Sequence, residues 1–208
     1  MTNPVKEGAD KAVACRWWAS VLFSEIDEKQ LDLYGKGELG PLLEGLPHLI
    51  PEEDADLVEA LRQDIESWKK VTSARLILAT DYASLFLGHG REGPLPYASY
   101  YYSEGRRLFA KPHDDMVERL NKAGLQINAQ GQEPADHLAI MVSYLALLYE
   151  ESHSAAYIAT FITEGILSWL PQFTKHCNNV TTEFQFYQLV LQILQAFLQK
   201  EAEEIRGA

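Results

Sequence analysis

From Phe186 to Phe197, the apolar residues Phe186, Leu189, Val190, Ile193, Leu194 and Phe197 recur at helical spacing, while Gln192, Gln195 and Gln199 fall elsewhere on the wheel. A stripe of this kind has to be buried against another element, which commits this end of the chain to a helix in a packed core. The beginning repeats the pattern, with Val13, Trp17 and Val21 on one ridge and Ala14, Trp18 and Leu22 on the next. "EIDEKQLDLYG" predicts a shorter helix, and further helices are expected over 52–69, 73–87, 134–151 and 154–175, the last interrupted by Gly165 and Pro171. "KPHDDMVERLNKAG" adds one more, with proline near its start and Gly124 just past its end. Only "YASYYY" at 97–102 alternates like a strand. The fold class that follows is all-α, a helical bundle.

A length of 208 residues with 47% hydrophobic content suits one core, so residues 1–208 are expected to form a single domain. The net charge of −12 repels phosphate backbones and anionic lipid and favours encounter with basic peptides. Nucleic acid is therefore not an expected partner. The start "MTNPVKEGADKA" lacks a secretory leader pattern, and no segment is apolar over the roughly 18 residues of a membrane span. A cytoplasmic protein with no membrane insertion is expected, in which the glycosylation-like "NVT" at 179–181 has no meaning. Cys15 and Cys177 lie in no C-x-x-C or zinc-spaced cluster and read as buried thiols. Trp17, Trp18 and Trp169 read as core anchors, and the acids of 52–54 and of the "KEAEEIR" tail as solvated surface.

One stretch invites a chemical reading. In "QEPADHLAIMVSYLALLYE", two acids, a proline and a histidine precede a strongly apolar run whose stripe comprises Leu138, Met141, Val142, Leu145, Leu148 and Tyr149. Pro134 suits the first turn of a helix, and Glu133 and Asp136 would face its unpaired N–H groups, worth roughly 0.3–1 kcal/mol each. His137 reads equally as a partly buried imidazole bonded to a carboxylate or as a binding group. No H-E-x-x-H, G-x-S-x-G, phosphate loop or dinucleotide fingerprint is present, so neither a metal, a cofactor nor catalytic residues are expected. "GKGELG" at 35–40 is glycine-rich but precedes no strand. Two long connections, 88–102 and 124–132, are candidates for functional loops or hinges.

"EPADHLAI" at 133–140, with "LPYASYY" at 95–101, "RWWASVLFSE" at 16–25 and "WLPQF" at 169–173, resembles the TorD family of redox-enzyme maturation chaperones, in order through most of the chain. The resemblance implies an all-helical, non-enzymatic, cytoplasmic protein. It would bind a molybdoenzyme precursor, at its twin-arginine signal peptide and on its body, while the molybdenum cofactor is inserted. Trimethylamine N-oxide reductase is the client that "LPYAS" and the intact E-P-A-D-H favour; dimethyl sulfoxide or nitrate reductase is the alternative. Carried over by motif, the binding residues are Glu133, Pro134, Asp136 and His137, with Pro96, Tyr97 and Ser99 from the long connection and Tyr82, Leu85 and Phe86 from "DYASLFLG". The family also implies a monomer or a domain-swapped homodimer, with 124–132 as the hinge.

The chemistry fits this picture, because two guanidinium groups followed by an apolar segment call for carboxylates beside a greasy groove. On this reading Asp136→Ala and His137→Ala stay folded and lose peptide affinity. Two other classes compete with it: a metal- or nucleotide-dependent hydrolase using Asp136 and His137, and a scaffold that recognises only the mature body of the enzyme.

Overall fold

A computed structural model describes residues 4–88, 93–102, 105–125 and 133–207. The chain runs α1 (Pro4–Phe23), α2 (Glu28–Gly35), α3 (Gly40–Leu49), a 3-10 turn (Glu52–Asp54), α4 (Ala55–Trp68) and α5 (Ala74–Phe86). It continues through the short α6 (Ala98–Tyr102), α7 (Lys111–Lys122), α8 (Leu138–Glu150) and α9 (Ala155–Thr160) to α10 (Leu170–Asn178) and α11 (Phe186–Gly207). Among the described residues there is no strand, and the all-α expectation stands. None of their helices is long and apolar enough to cross a membrane.

The ridges read from the sequence pack, except that Val13 of the first stands 59% exposed. α1 lies along α8, and α11 packs against α4 and α10. Trp18 is wholly buried and stacks on Phe197 at 5.1 Å, while Trp68, Tyr34 and Phe186 form an edge-to-face cluster. Trp17 and Trp169 are also buried, as are the free thiols of Cys15 and Cys177, whose pKa burial pushes up.

Local signals fix several ends. Asp27 and Gln30 form a reciprocal capping box at α2. Gly124 takes φ +70° after α7, where the Leu125 amide reaches back to the Leu120 carbonyl at 2.9 Å. The start of α11 is set at long range: Asp81, buried in α5, accepts the Glu183 and Phe184 amides at 3.1 and 2.9 Å.

Several expectations need correction. Gly40–Leu49 forms a helix that was not among the expected ones, because Pro41 sits at its start and Leu42, Leu43, Leu46 and Leu49 pack inward. "YASYYY" forms α6 apart from one isolated bridge at Tyr97. The expected interruption of 154–175 at Gly165 and Pro171 is present: the segment divides into α9, a π-helical turn (Phe161–Ile166) that holds Gly165 against Phe161, and α10, whose first turn holds Pro171. In the acidic tail Glu201 is buried, its carboxylate taking Lys11 at 2.7 Å and the Tyr149 hydroxyl at 2.7 Å. It ties α1, α8 and α11 together. Most of the expected hinge, residues 126–132, and His89 lie outside the described residues.

Candidate functional site

The two motif segments, far apart in sequence, meet backbone to backbone. Tyr97 and His137 form an antiparallel bridge in which the Leu138 amide donates to the Pro96 carbonyl at 2.8 Å and the Ala98 amide to the Asp136 carbonyl at 3.1 Å. Ala98 opens α6 and Leu138 opens α8, so two helix starts satisfy each other's unpaired amides. Side chains complete the exchange. Asp136 Oδ2 accepts the Ser99 amide at 2.6 Å, the Ser99 hydroxyl accepts the Ala110 amide at 3.0 Å, and His137 Nδ1 accepts the Ala139 amide at 3.1 Å.

This geometry revises the expected helix start. α8 begins at Leu138 with His137 as its N-cap, and residues 134–137 form a turn closed by the His137 amide on the Pro134 carbonyl at 3.1 Å. Asp136 therefore faces the amides of α6 and not those of its own helix. It has no exposed surface, and its Oδ1 has no hydrogen-bond partner among the described residues. Pro134, Pro96 and Ser99 are buried as well.

His137 is only 4% exposed, and burial lowers its pKa to about 4, which keeps the ring neutral near pH 7. Because Nδ1 accepts a hydrogen bond, the proton of the neutral ring sits on Nε2. That edge faces Glu133 Oε1 at 4.0 Å. The ring is held edge-on by Tyr97 at 5.2 Å and Phe23 at 5.8 Å.

Glu133 differs from its neighbours. Its side chain is 37% exposed, and it takes the Tyr97 hydroxyl at 2.5 Å. Burial and this carboxylate together raise the Tyr97 pKa. Of the motif residues, Glu133 and Tyr97 are the ones that reach solvent. Tyr82, Leu85 and Phe86 do not join them as a groove wall. All three are buried, Phe86 against Tyr187 and Phe173, and Tyr82 donates to the Leu22 carbonyl at 3.3 Å. An apolar helical stripe here is core.

Three residues at the site carried no assigned role in the sequence. His113 Nδ1 accepts the Ala135 amide at 2.9 Å and so holds the turn from its other side. Phe23 stands 54% exposed against His137, and the exposed Glu25 shares the neighbourhood of the Tyr82 hydroxyl with Glu133. Phe23 and Glu25 lie inside "RWWASVLFSE", but nothing in that string distinguishes a surface phenylalanine from a core one.

As chemistry, the arrangement offers one accessible carboxylate beside aromatic surface. Asp136 and His137 each have a side-chain acceptor engaged with a backbone amide, which leaves them poorly placed as an acid–base pair. No group of three or more His, Cys, Asp or Glu among the described residues is arranged to hold a metal ion.

The comparisons with known proteins agree along the chain. A family model described as nitrate reductase delta subunit matches residues 49–175. "Chaperone protein TorD" of Vibrio vulnificus strain YJ016 is 35% identical over an alignment of 221 positions that covers 100% of both chains. Its Aliivibrio fischeri namesake is 35% identical, covering 92% of this chain and 93% of that one. The Vibrio cholerae protein of the same name is 32% identical, with 97% and 94% covered. Among solved structures, an Archaeoglobus fulgidus protein assigned to redox enzyme maturation overlays with a TM-score of 0.49 at 21% identity, over 94% of this chain and 93% of that one.

Proposed function

The chain belongs to the TorD family of redox-enzyme maturation chaperones, and from that premise we propose that it serves a molybdoenzyme, trimethylamine N-oxide reductase, by binding its precursor in the cytoplasm. It holds the precursor, without turnover, until the molybdenum cofactor is in place and export can begin. The twin-arginine signal peptide is engaged at the joined 96–99 and 133–137 segments. Glu133 receives a guanidinium, and Tyr97 and Phe23 supply apolar contact. Pro134, Asp136, His137, Pro96 and Ser99 shape that surface from beneath.

The observation that carries the reading is the pairing of the two motif segments into one tip, at which a buried polar framework presents a half-exposed carboxylate next to an exposed phenylalanine. Buried anchors at roughly 1.5–3 kcal/mol each, less the costs of association, give binding in the micromolar range, about −8 kcal/mol. Reversible binding suits a chaperone that must release its client. Calorimetry with the reductase precursor and with a signal-deleted form tests the proposal. Precursor binding that weakens on deletion supports it, and undiminished binding assigns recognition to the mature body instead. Capture of dimethyl sulfoxide or nitrate reductase precursor in place of trimethylamine N-oxide reductase would reassign the client.

A further inference from the structure

Between α6 and α7 the chain runs Arg106, Arg107, Leu108, Phe109, two guanidinium groups followed by two large apolar side chains. A twin-arginine leader presents the same chemistry in the same order. All four residues are exposed, Leu108 to 38% and Phe109 to 57%, although burial of either apolar side chain would be favourable. Among the described residues neither arginine is ion-paired.

The segment is held in place at both ends. At its start the Arg106 guanidinium lies over the Tyr100 ring at 5.5 Å and donates to the Tyr100 hydroxyl at 3.4 Å. At its end Phe109 meets His113 edge to face at 5.0 Å, and the Ala110 amide donates to the Ser99 hydroxyl at 3.0 Å. Arg106 and Phe109 take φ +45° and +56°, a region that bulky side chains rarely enter and that persists only where the surroundings impose it. Among the described residues the segment does not meet the tip of its own chain: Arg106 shares a cavity with Ser84, Pro94 and His176, while Glu133 faces Tyr97 and His137. A tip that can receive it belongs to a second copy.

We propose that Arg106, Arg107, Leu108 and Phe109 form an internal mimic of the leader, which seats at the 133–137 tip of a second copy of this chain and covers that tip until a client displaces it. The inference rests on the reading that the tip receives the leader. The arginines meet Glu133 and the neighbouring Glu25, and Phe109 meets the exposed Phe23. Ser99 accepts the Ala110 amide and is itself held by Asp136, so the segment and its own tip are linked, and one twofold interface can hold both contacts. A net charge of −12 makes the copies repel each other, which keeps the contact weak and open to displacement.

The test is light scattering of the full chain over a range of concentrations, with calorimetry of dilute chain against a synthetic peptide of residues 105–111, the same peptide with glutamine for both arginines, and a twin-arginine leader peptide. The parent is expected to dimerise, and Arg107→Gln, Phe109→Gly and Glu133→Gln each to weaken dimerisation about tenfold. Phe109→Gly suits the positive φ and keeps the test decisive if thermal unfolding shows Arg107→Gln to be misfolded. A mixture of Glu133→Gln with Arg107→Gln joins an intact segment to an intact tip and should associate more strongly than either variant alone. Leader peptide should dissociate the parent dimer, and the 105–111 peptide should bind where its glutamine form does not. A parent that stays monomeric, or dimerisation that is equal in the parent and the segment variants, overturns the proposal, as does weakening by the segment variants without weakening by Glu133→Gln. If the leader peptide binds through Glu133 and the 105–111 peptide does not bind, the mimic falls and the tip stands. If the leader peptide binds Glu133→Gln like the parent, both fall.

Discussion

Asp136 caps a helix that is not its own: its buried Oδ2 accepts the Ser99 amide at 2.6 Å in α6, although Asp136 lies just before α8. The Ser99 hydroxyl in turn holds the Ala110 amide, so one carboxylate organises both the 96–99 segment and the approach to α7. Loss of the side chain leaves a buried amide unpaired. Asp136→Ala is expected to destabilise the fold by about 2–4 kcal/mol, more than a surface contact could. Asp136→Asn, whose carbonyl can still accept, should cost less. Urea unfolding of the pair measures the difference, and equal, negligible losses would show that the carboxylate does not hold α6.

His137 gives the fold a pH dependence. Its folded pKa, lowered to about 4, lies below the unfolded value of about 6.5, so between these pH values the unfolded chain binds more protons. The stability held by the neutral ring is complete above about pH 6.5 and is lost as pH falls toward 4, by roughly 3 kcal/mol. His137→Asn keeps an N-cap acceptor but does not titrate. Its stability should vary less than that of the parent over this window, and parallel curves from denaturant unfolding at several pH values would contradict the assignment.

Glu133 should behave oppositely to Asp136. Being partly exposed, it can be neutralised with little effect on the fold, whereas the affinity for a twin-arginine peptide should fall about tenfold. Calorimetry at two salt concentrations separates the mechanisms: parent affinity falls with added salt, and Glu133→Gln affinity falls less. Tyr97→Phe, which releases the carboxylate from the tyrosine hydroxyl, should leave peptide binding intact and cost about 0.5–1.5 kcal/mol of stability.

Glu201 provides a contrasting control away from the tip. Glu201→Ala leaves the Tyr149 hydroxyl without its carboxylate while Lys11 keeps Glu7 at 2.9 Å, and a loss of about 1–3 kcal/mol is expected, with peptide affinity per folded molecule unchanged. A melting temperature equal to that of the parent would show that the pair contributes nothing net.

Much of this protein was legible in one dimension. The stripe from Phe186 to Phe197, the double ridge of α1 and the proline and glycine that bracket α7 are local signals, because helix periodicity and termini depend on residues within a turn or two of one another. The strings "LPYAS" and "EPADH" also marked the right places. What spacing could not reveal was exposure and pairing. Asp136 and Glu133 are both acids before the same helix, yet one has no exposed surface and serves α6 while the other reaches solvent. Phe23 and Phe86 each end an apolar helical run, yet Phe23 is exposed and Phe86 is core. The Tyr97–His137 bridge, the Asp81 cap on the chain before α11 and the Lys11–Glu201 pair likewise join residues far apart in sequence. The sequence alone determined most of the helices and the family, since both are written in short-range pattern. The tertiary structure alone decided which acid stays accessible, because burial depends on which distant helix comes to lie against it.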